Sequence, residues 1–167
     1  EYLFDPQKLD IGYLRWNAQT SNKWVKKVEA TFSYQRLEEN RKMTKTASFT
    51  QNSESDLVNT LGGSLIAISE INDHWKASSG IDFYHDDVSS SAFSMDYLRA
   101  IKKSYRGLYA DNSILASSSL YSNHFIQLNR LNINFGGRLN QTQIRGEDVE
   151  FGDINLKPIA LVGSAGI

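Results

Sequence analysis

The sequence predicts an all-β fold: an antiparallel up-and-down meander of about seven long strands, part of a larger transmembrane β-barrel. Three observations predict it. Short connections near residues 20–23, 71–74 and 127–130 alternate with long polar excursions near 36–56, 86–107 and 141–155. Several strand runs reach about ten residues, against a usual ~5–6 and the ~9–11 that a tilted strand needs to cross a bilayer. Within the runs, apolar and polar residues alternate with period two, the mark of a strand with one apolar and one polar surface. Short turns at one end and long loops at the other are how outer-membrane barrels are built.

The elements follow in order. A weaker run over 8–19 leads to a strand with Val28, Ala30, Phe32 and Tyr34 on one face. Lys27, Glu29, Thr31, Ser33 and Gln35 occupy its other face. A run over 57–70 carries Gly62 and Gly63, which weaken pairing but permit bending or close approach of another backbone. From Trp75 to Asp86, Trp75, Ala77, Ile81 and Phe83 oppose Lys76, Ser78, Asp82 and Tyr84. A weaker run covers 108–126. The cleanest alternation is Leu131, Ile133, Phe135 and Leu139 against Asn132, Asn134, Arg138 and Asn140, with Gly136 and Gly137 inside it. A last run covers 156–167. Trp16, Trp24 and Trp75 all lie beside short turns, where an aromatic girdle would mark the periplasmic interface. The only prolines, Pro6 and Pro158, stand near the ends, as expected of a chain that is nearly all ladder. Seven hairpin-linked strands cannot close a bacterial single-chain barrel, which uses even numbers from eight upward. The sequence therefore reads as a slice of a barrel wall.

Composition bounds the function. The 167 residues carry 18 basic and 19 acidic side chains, a net charge of −1, which argues against a nucleic-acid surface. There is no cysteine, hence no disulfide, thiolate metal site or thiol nucleophile. No run approaches the ~18 apolar residues of a spanning helix. Negative mean hydropathy is compatible with a barrel, because lipid-facing and lumen-facing residues alternate and cancel. Glu1-Tyr2-Leu3-Phe4-Asp5-Pro6 has neither a basic start nor an apolar core. The chain is thus expected to begin after processing or within something larger.

Taken in order, several segments resemble the barrel of TonB-dependent outer-membrane receptors, especially the Bacteroidetes form. They are Gly12-Tyr13-Leu14-Arg15, Ser33 to Arg41, Asp56 to Gly62, Gly80 to Ser89, Arg106 to Ser113, Gly136 to Asn140 and Pro158 to Gly166. The match spans roughly 8–167 and depends on order and spacing. Where the family often reads Tyr-Pro-Asp-Gly-Ser, this chain has Tyr109-Ala110-Asp111-Asn112-Ser113, and Asn tolerates the left-handed conformation glycine would supply. The family's plug domain, TonB box and terminal aromatic signal have no counterpart in these residues. The resemblance implies a segment of a multi-pass bacterial outer-membrane receptor. It would import a scarce nutrient, an iron chelate, haem or similar. Its implied partners are outer-membrane lipid, that small ligand and the TonB complex acting through the plug, with no nucleic acid and no resident cofactor.

Candidate sites follow from chemistry and position. Tyr84, His85, Asp86 and Asp87 form a ligand-facing group at the expected outer end of a strand. The plainer alternative is a solvated strand end, since the spacing specifies no metal geometry and no metal site is assigned. Tyr105, Arg106 and Tyr109 form a second outer group suited to an anionic ligand by charge and stacking, or to simple loop anchoring. Arg138 is expected to face the lumen and pair with a plug carboxylate, with Lys27, Glu29, Asp82 and Asn134 on the same polar surface. The mixed-charge run from Arg36 to Lys45 reads as a solvated hairpin flank. His124 beside Ser122 and Asn123 raises an outer-membrane hydrolase as an alternative, but adjacent strand residues face opposite ways and enzymatic activity is not expected. A soluble β-sandwich binding module is the other alternative.

Overall fold

The computed structural model describes residues 1–22, 24–148 and 152–167. Among these residues nine strands form one antiparallel sheet: β1 (Tyr2–Gln19), β2 (Val25–Thr44), β3 (Thr50–Asn72), β4 (Trp75–Asp96), β5 (Ile101–Tyr105), β6 (Ser113–Leu128), β7 (Leu131–Asp148), β8 (Gly152–Leu156) and β9 (Ile159–Gly166). β5 and β6 both pair with β4, one above the other, and β8 and β9 share β7 in the same way. The sheet is therefore seven ladder lines wide, as the sequence predicts. Two lines are interrupted. Residues 106–112 leave the ladder between β5 and β6, so that line's lower part starts at Ser113 rather than near 108. Lys157 and Pro158 separate β8 from β9, where Pro158 has no N–H to donate and its carbonyl instead accepts from Thr142 N at 3.0 Å.

The long excursions are not loops. β2 continues to Thr44, β4 to Asp96 and β7 to Asp148, so the first two connections shrink to 45–49 and 97–100, and the third excursion is ladder through Asp148. Backbone N–H and C=O groups pair whatever the side chains carry. Where both faces meet water, the period-two signal vanishes but the ladder does not. Ala47 and Ala100 take positive φ (58° and 52°) to close the first two of these outer turns. At the other end, Asn22 Oδ1 accepts from Trp24 N at 2.8 Å and Asn72 Oδ1 from His74 N at 2.9 Å, local bonds that fix short turns. Lys23 of the expected first turn and residues 149–151 of the last excursion lie outside the described residues.

Register fixes which side chains share a face. One row reads Trp16, Ala30, Leu65, Ile81, Leu120, Leu139 and Leu161 across all seven lines. The adjacent row, on the opposite face, reads Arg15, Thr31, Ser64, Asp82, Ser119, Asn140 and Ala160. On the apolar face the band ends at a row of Asp10, Arg36, Asn59, Asp87, Ile114 and Arg145.

The apolar row also measures the tilt. It lies 3 and 5 residues from the ends of β1 and β2 at the first turn, 7 and 6 from those of β3 and β4, and 8 and 8 from those of β6 and β7. With the turns level, that drift is about four residues, ~13 Å along the strands, against ~19 Å across four strand spacings. The tilt is roughly 35°, within the range of a closed barrel. The ten steps from Trp75 to His85 then cover about 33 Å of strand and about 27 Å of height, close to the ~25 Å apolar belt of outer-membrane barrels. The outer parts of β1, β2, β3, β4, β5, β7 and β8 project beyond that belt as ladder.

No second layer covers the sheet. Among the described residues the buried apolar side chains are Ala77 and Ala92 alone, while Leu161 is 81% and Leu14 70% exposed. That overturns the sandwich alternative, which needs two sheets sharing a packed core.

Candidate ligand-facing site

The projecting ladder carries a connected polar network on the same face as Arg15 and Asp82. Arg41 faces Glu54 across β2 and β3, and Asp56 faces Ser90 across β3 and β4. The Arg41 guanidinium pairs with Asp56, and lies 3.3 Å from both Glu39 and Glu54. The side chains of Arg41 and Asp56 are only 12% and 7% exposed. Ser90 Oγ donates to the other Asp56 oxygen at 2.5 Å, so both carboxylate oxygens are engaged. Burial works against the Arg41 charge, but Asp56, Glu54 and Glu39 outweigh it and hold its pKa above the ordinary value. Ala92 stands between Glu54 and Tyr105 in the register. Its small side chain lets the Tyr105 hydroxyl cross to donate to Glu54 at 3.3 Å. Burial first, and then the Glu54 charge, push the Tyr105 phenol up.

Beside this network, residues 106–112 form a strap. Where they leave the ladder, Ser90 N finds Asp111 Oδ1 at 2.9 Å in place of a backbone partner. Gly107 passes against Ser90 Oγ so closely that a Cβ there would collide with it. Asn112 turns the strap back at φ 53°, as the sequence reading of that turn requires, and Ser113 Oγ donates to Ala110 O at 2.8 Å. A hollow of about 320 Å³ opens beside the strap, walled by Tyr105, Arg106, Tyr109, Asp111, Glu147 and Asp148. The structure thus brings Tyr105, Arg106 and Tyr109 together. It does not leave Arg106 as a hook for an anion: Nε donates to Asp148 Oδ2 at 2.7 Å and Nη1 to the carbonyls of Gly107 and Leu108 at 3.3 and 3.5 Å. The walls hold three carboxylates against one guanidinium, so the hollow suits a neutral or cationic surface rather than an anionic one.

The first predicted group separates. Tyr84, His85, Asp86 and Asp87 lie in mid-β4, not at a strand end, and period two sends Tyr84 and Asp86 to the polar face, His85 and Asp87 to the other. His85 Nε2 lies 3.4 Å from Asp87 Oδ1 at the upper edge of the apolar band. The Tyr84 ring packs against Gly62, whose missing side chain makes room for it. Among the described residues no three His, Asp or Glu side chains converge as metal ligands.

Lys27, Glu29, Asp82, Asn134 and Arg138 all share the polar face, as predicted. Their partners differ from the expectation. Arg138 pairs with Asp82 of the wall itself at 3.2 Å, and Ser119 Oγ accepts from Arg138 at 2.7 Å while donating to Asp82 at 3.3 Å. Lys27 pairs with Glu29 two residues away. Same-face neighbours within the sheet are near enough to neutralise these charges, so no plug carboxylate is required.

Sequence reasoning missed Arg41, Glu54, Asp56, Ser90 and Asp148. Glu39 and Arg41 lie in the run read as a solvated flank, and nothing in it shows that Glu54 and Asp56 face it until the register of β2 on β3 is known.

His124 does share a face with a serine, because Ser122 is two residues away. Its Nδ1 accepts the indole N–H of Trp75 at 3.2 Å, and Nε2 lies 2.9 Å from Ser122 Oγ, which lies 2.7 Å from Ser79 Oγ. Indole is a donor only, so the neutral ring carries its proton on Nε2 and gives it toward Ser122. A nucleophilic serine needs the reverse arrangement. The ring also stacks on Phe135, centroids 4.8 Å apart, extending the aromatic group of Trp75 on the apolar face.

No family model matches the chain. No curated protein matches it either. Among solved structures, it is similar to the copper transporter OprC, with a TM-score of 0.75 over 95% of this chain at 14% identity. The match covers 27% of that chain, so these residues span about a quarter of its length. The likeness is one of fold, and it agrees with an open, tilted sheet that forms a segment of a β-barrel.

Proposed function

We propose that the chain is a section of the wall of an outer-membrane receptor that binds a small nutrient and imports it with TonB-coupled energy. One observation carries this reading: a belt of apolar side chains about 27 Å tall on one face, surmounted by a ladder arm whose opposite face carries a connected polar network, with a hollow beside it. The neighbour of similar fold is named a transporter, which supports the same reading. Outer-membrane lipid would cover the apolar face, and the TonB complex would act through a plug outside these residues. Within the class we favour a neutral or cationic iron chelate over haem, whose carboxylates would meet Asp111, Glu147 and Asp148. We propose no catalytic role, since Trp75 fixes His124 with its proton toward Ser122.

The test is uptake by cells producing the full-length protein, using radiolabelled ferric chelates of neutral, cationic and anionic charge, with haem and copper alongside. Energy-coupled import of a neutral or cationic chelate, stopped by a protonophore, is expected. Uptake that persists with the proton gradient collapsed would overturn the coupled reading in favour of a passive pore. A protein found in the aqueous phase without detergent would overturn the membrane assignment itself.

A further inference from the structure

Beyond the membrane belt, no ladder among the described residues joins the β4–β5 hairpin, which continues into β3, to the β7–β8 hairpin. β5 pairs only with β4, and β8 only with β7, while the strap 106–112 occupies the gap between them. The exposed lysines Lys102 and Lys103 of β5 would disfavour pairing along its open edge, a common way of guarding an unpaired strand. Gly146 on β7 leaves room for Ala110 and Ser113 of the strap. Two attachments hold the strap. Its far end is fixed to Ser90 through Asp111 and the Tyr109 N–H. Its near end is held by Arg106, which spans from the strap's own carbonyls to Asp148, a side chain 1% exposed at the end of β7.

We propose that Arg106 and Asp148 are positioning residues that latch the β4–β5 hairpin to the β7–β8 hairpin and so set the width of the hollow. A cationic group entering the hollow would compete with Arg106 for Asp148 and release the near end, while Asp111 keeps the far end in place. The step from latch to ligand rests on the proposed function. The latch itself does not, and a protein that imports nothing would still show it.

These 167 residues contain no cysteine, so with any cysteine elsewhere in the full-length protein replaced by serine, labels can be placed cleanly. Spin labels at Arg99→Cys, in the β4–β5 turn, and Asp153→Cys, in β8, report hairpin separation by pulsed EPR in the full-length protein in detergent. A single narrow distance distribution is expected for the native pair. Arg106→Gln and Asp148→Asn should each lose the narrow peak, with barrel assembly checked by gel mobility before and after heating. Arg106→Lys keeps the ion pair and should restore the peak at low salt but lose it at high salt, which supplies the comparison should either neutral variant fail to assemble. A narrow, unchanged peak in the neutral variants, or in the lysine variant at high salt, would overturn the latch.

Discussion

Replacing Asp56 tests whether its bonds to Arg41 and Ser90 hold the projecting arms as rigid ladder. Asp56→Ala removes a charge-assisted bond to Arg41, worth about 1.5–3 kcal/mol, and leaves the Ser90 hydroxyl without its acceptor, about 1 kcal/mol more. Orphaning a buried charge outright costs about 3–5 kcal/mol, but Glu39 and Glu54 remain beside Arg41 and moderate the loss. The expected destabilisation is about 3 kcal/mol, and it is local, because the arm stands outside the apolar belt. At ~1.4 kcal/mol per decade, amide hydrogen exchange through local opening should accelerate about 100-fold in residues 36–44, 51–59 and 87–96. Residues 77–85, within the belt, should be unaffected. Asp56→Asn keeps an acceptor for Ser90 and loses only the charge, so it should show about half the effect in kcal/mol. Acceleration below about threefold would refute the claim that this network holds the arm. Equal acceleration inside the belt would refute the claim that the arm opens on its own.

Four further outcomes are expected. Gly80→Ala brings a methyl within 2.8 Å of the Leu65 carbonyl and 2.6 Å of the Tyr121 hydroxyl; the ring can swing but the backbone cannot, so refolding into lipid vesicles should lose about 1–3 kcal/mol by its urea midpoint. Gly137→Ala, with nothing nearer than 3.8 Å, serves as the control and should be close to neutral. Tyr105 has a folded pKa above its ordinary value near 10, so the stability it contributes is fully present below pH ~10 and is lost as pH rises through the higher folded value. Subtracting the alkaline ultraviolet titration of Tyr105→Phe from that of the native protein should reveal one phenol ionising above 10, and a phenol ionising at or below that value would count against burial beside Glu54. Ser122→Ala should leave ester hydrolysis unchanged at the buffer rate, whereas a native rate abolished by that substitution would restore the hydrolase. His124→Phe keeps the stack on Phe135 and removes the acceptor for Trp75, so it should cost about 1 kcal/mol in the same refolding assay, and His124→Ala clearly more.

The seven-line sheet was legible because at belt depth each face meets one solvent. Leu65, Ile81, Leu120 and Leu139 face one way and Ser64, Asp82, Ser119 and Asn140 the other, and that contrast survives any uncertainty in the ends. Above the belt both faces meet water. Residues 36–44 and 87–96 lose their alternation there, and ladder read as loop. The same loss hid the Arg41 network, which exists only through the pairing of β2 with β3 and of β3 with β4. The group at 84–87 failed for a different reason. Four chemically apt neighbours on a strand divide two and two between its faces, so adjacency in sequence worked against adjacency in space. Arg138 lies on the polar face as expected, but its partner was sought in another domain although Asp82 is within its reach across Ser119 of the intervening strand β6.

The overshooting ladder bears on how a ligand would be held. A loop of some twenty residues loses about 1–2 kcal/mol of backbone freedom for each residue that a ligand orders. In the arms that cost is already met on folding, since Arg41, Asp56 and Ser90 fix their inner face before any ligand arrives. Side chains on such arms can discriminate by shape and charge, as sites on rigid elements do. Motion is then confined to places where the ladder is interrupted, and among the described residues these are 106–112 and 157–158. The first carries Arg106 and Tyr109 beside the hollow, while the second lies where Thr142 N reaches the Pro158 carbonyl. Ligand-dependent change should therefore appear in exchange rates or label distances at 106–112 while 36–44 and 51–59 stay as they are. Movement of the β2–β3 arm with a native strap would place the flexibility in the wrong hairpin.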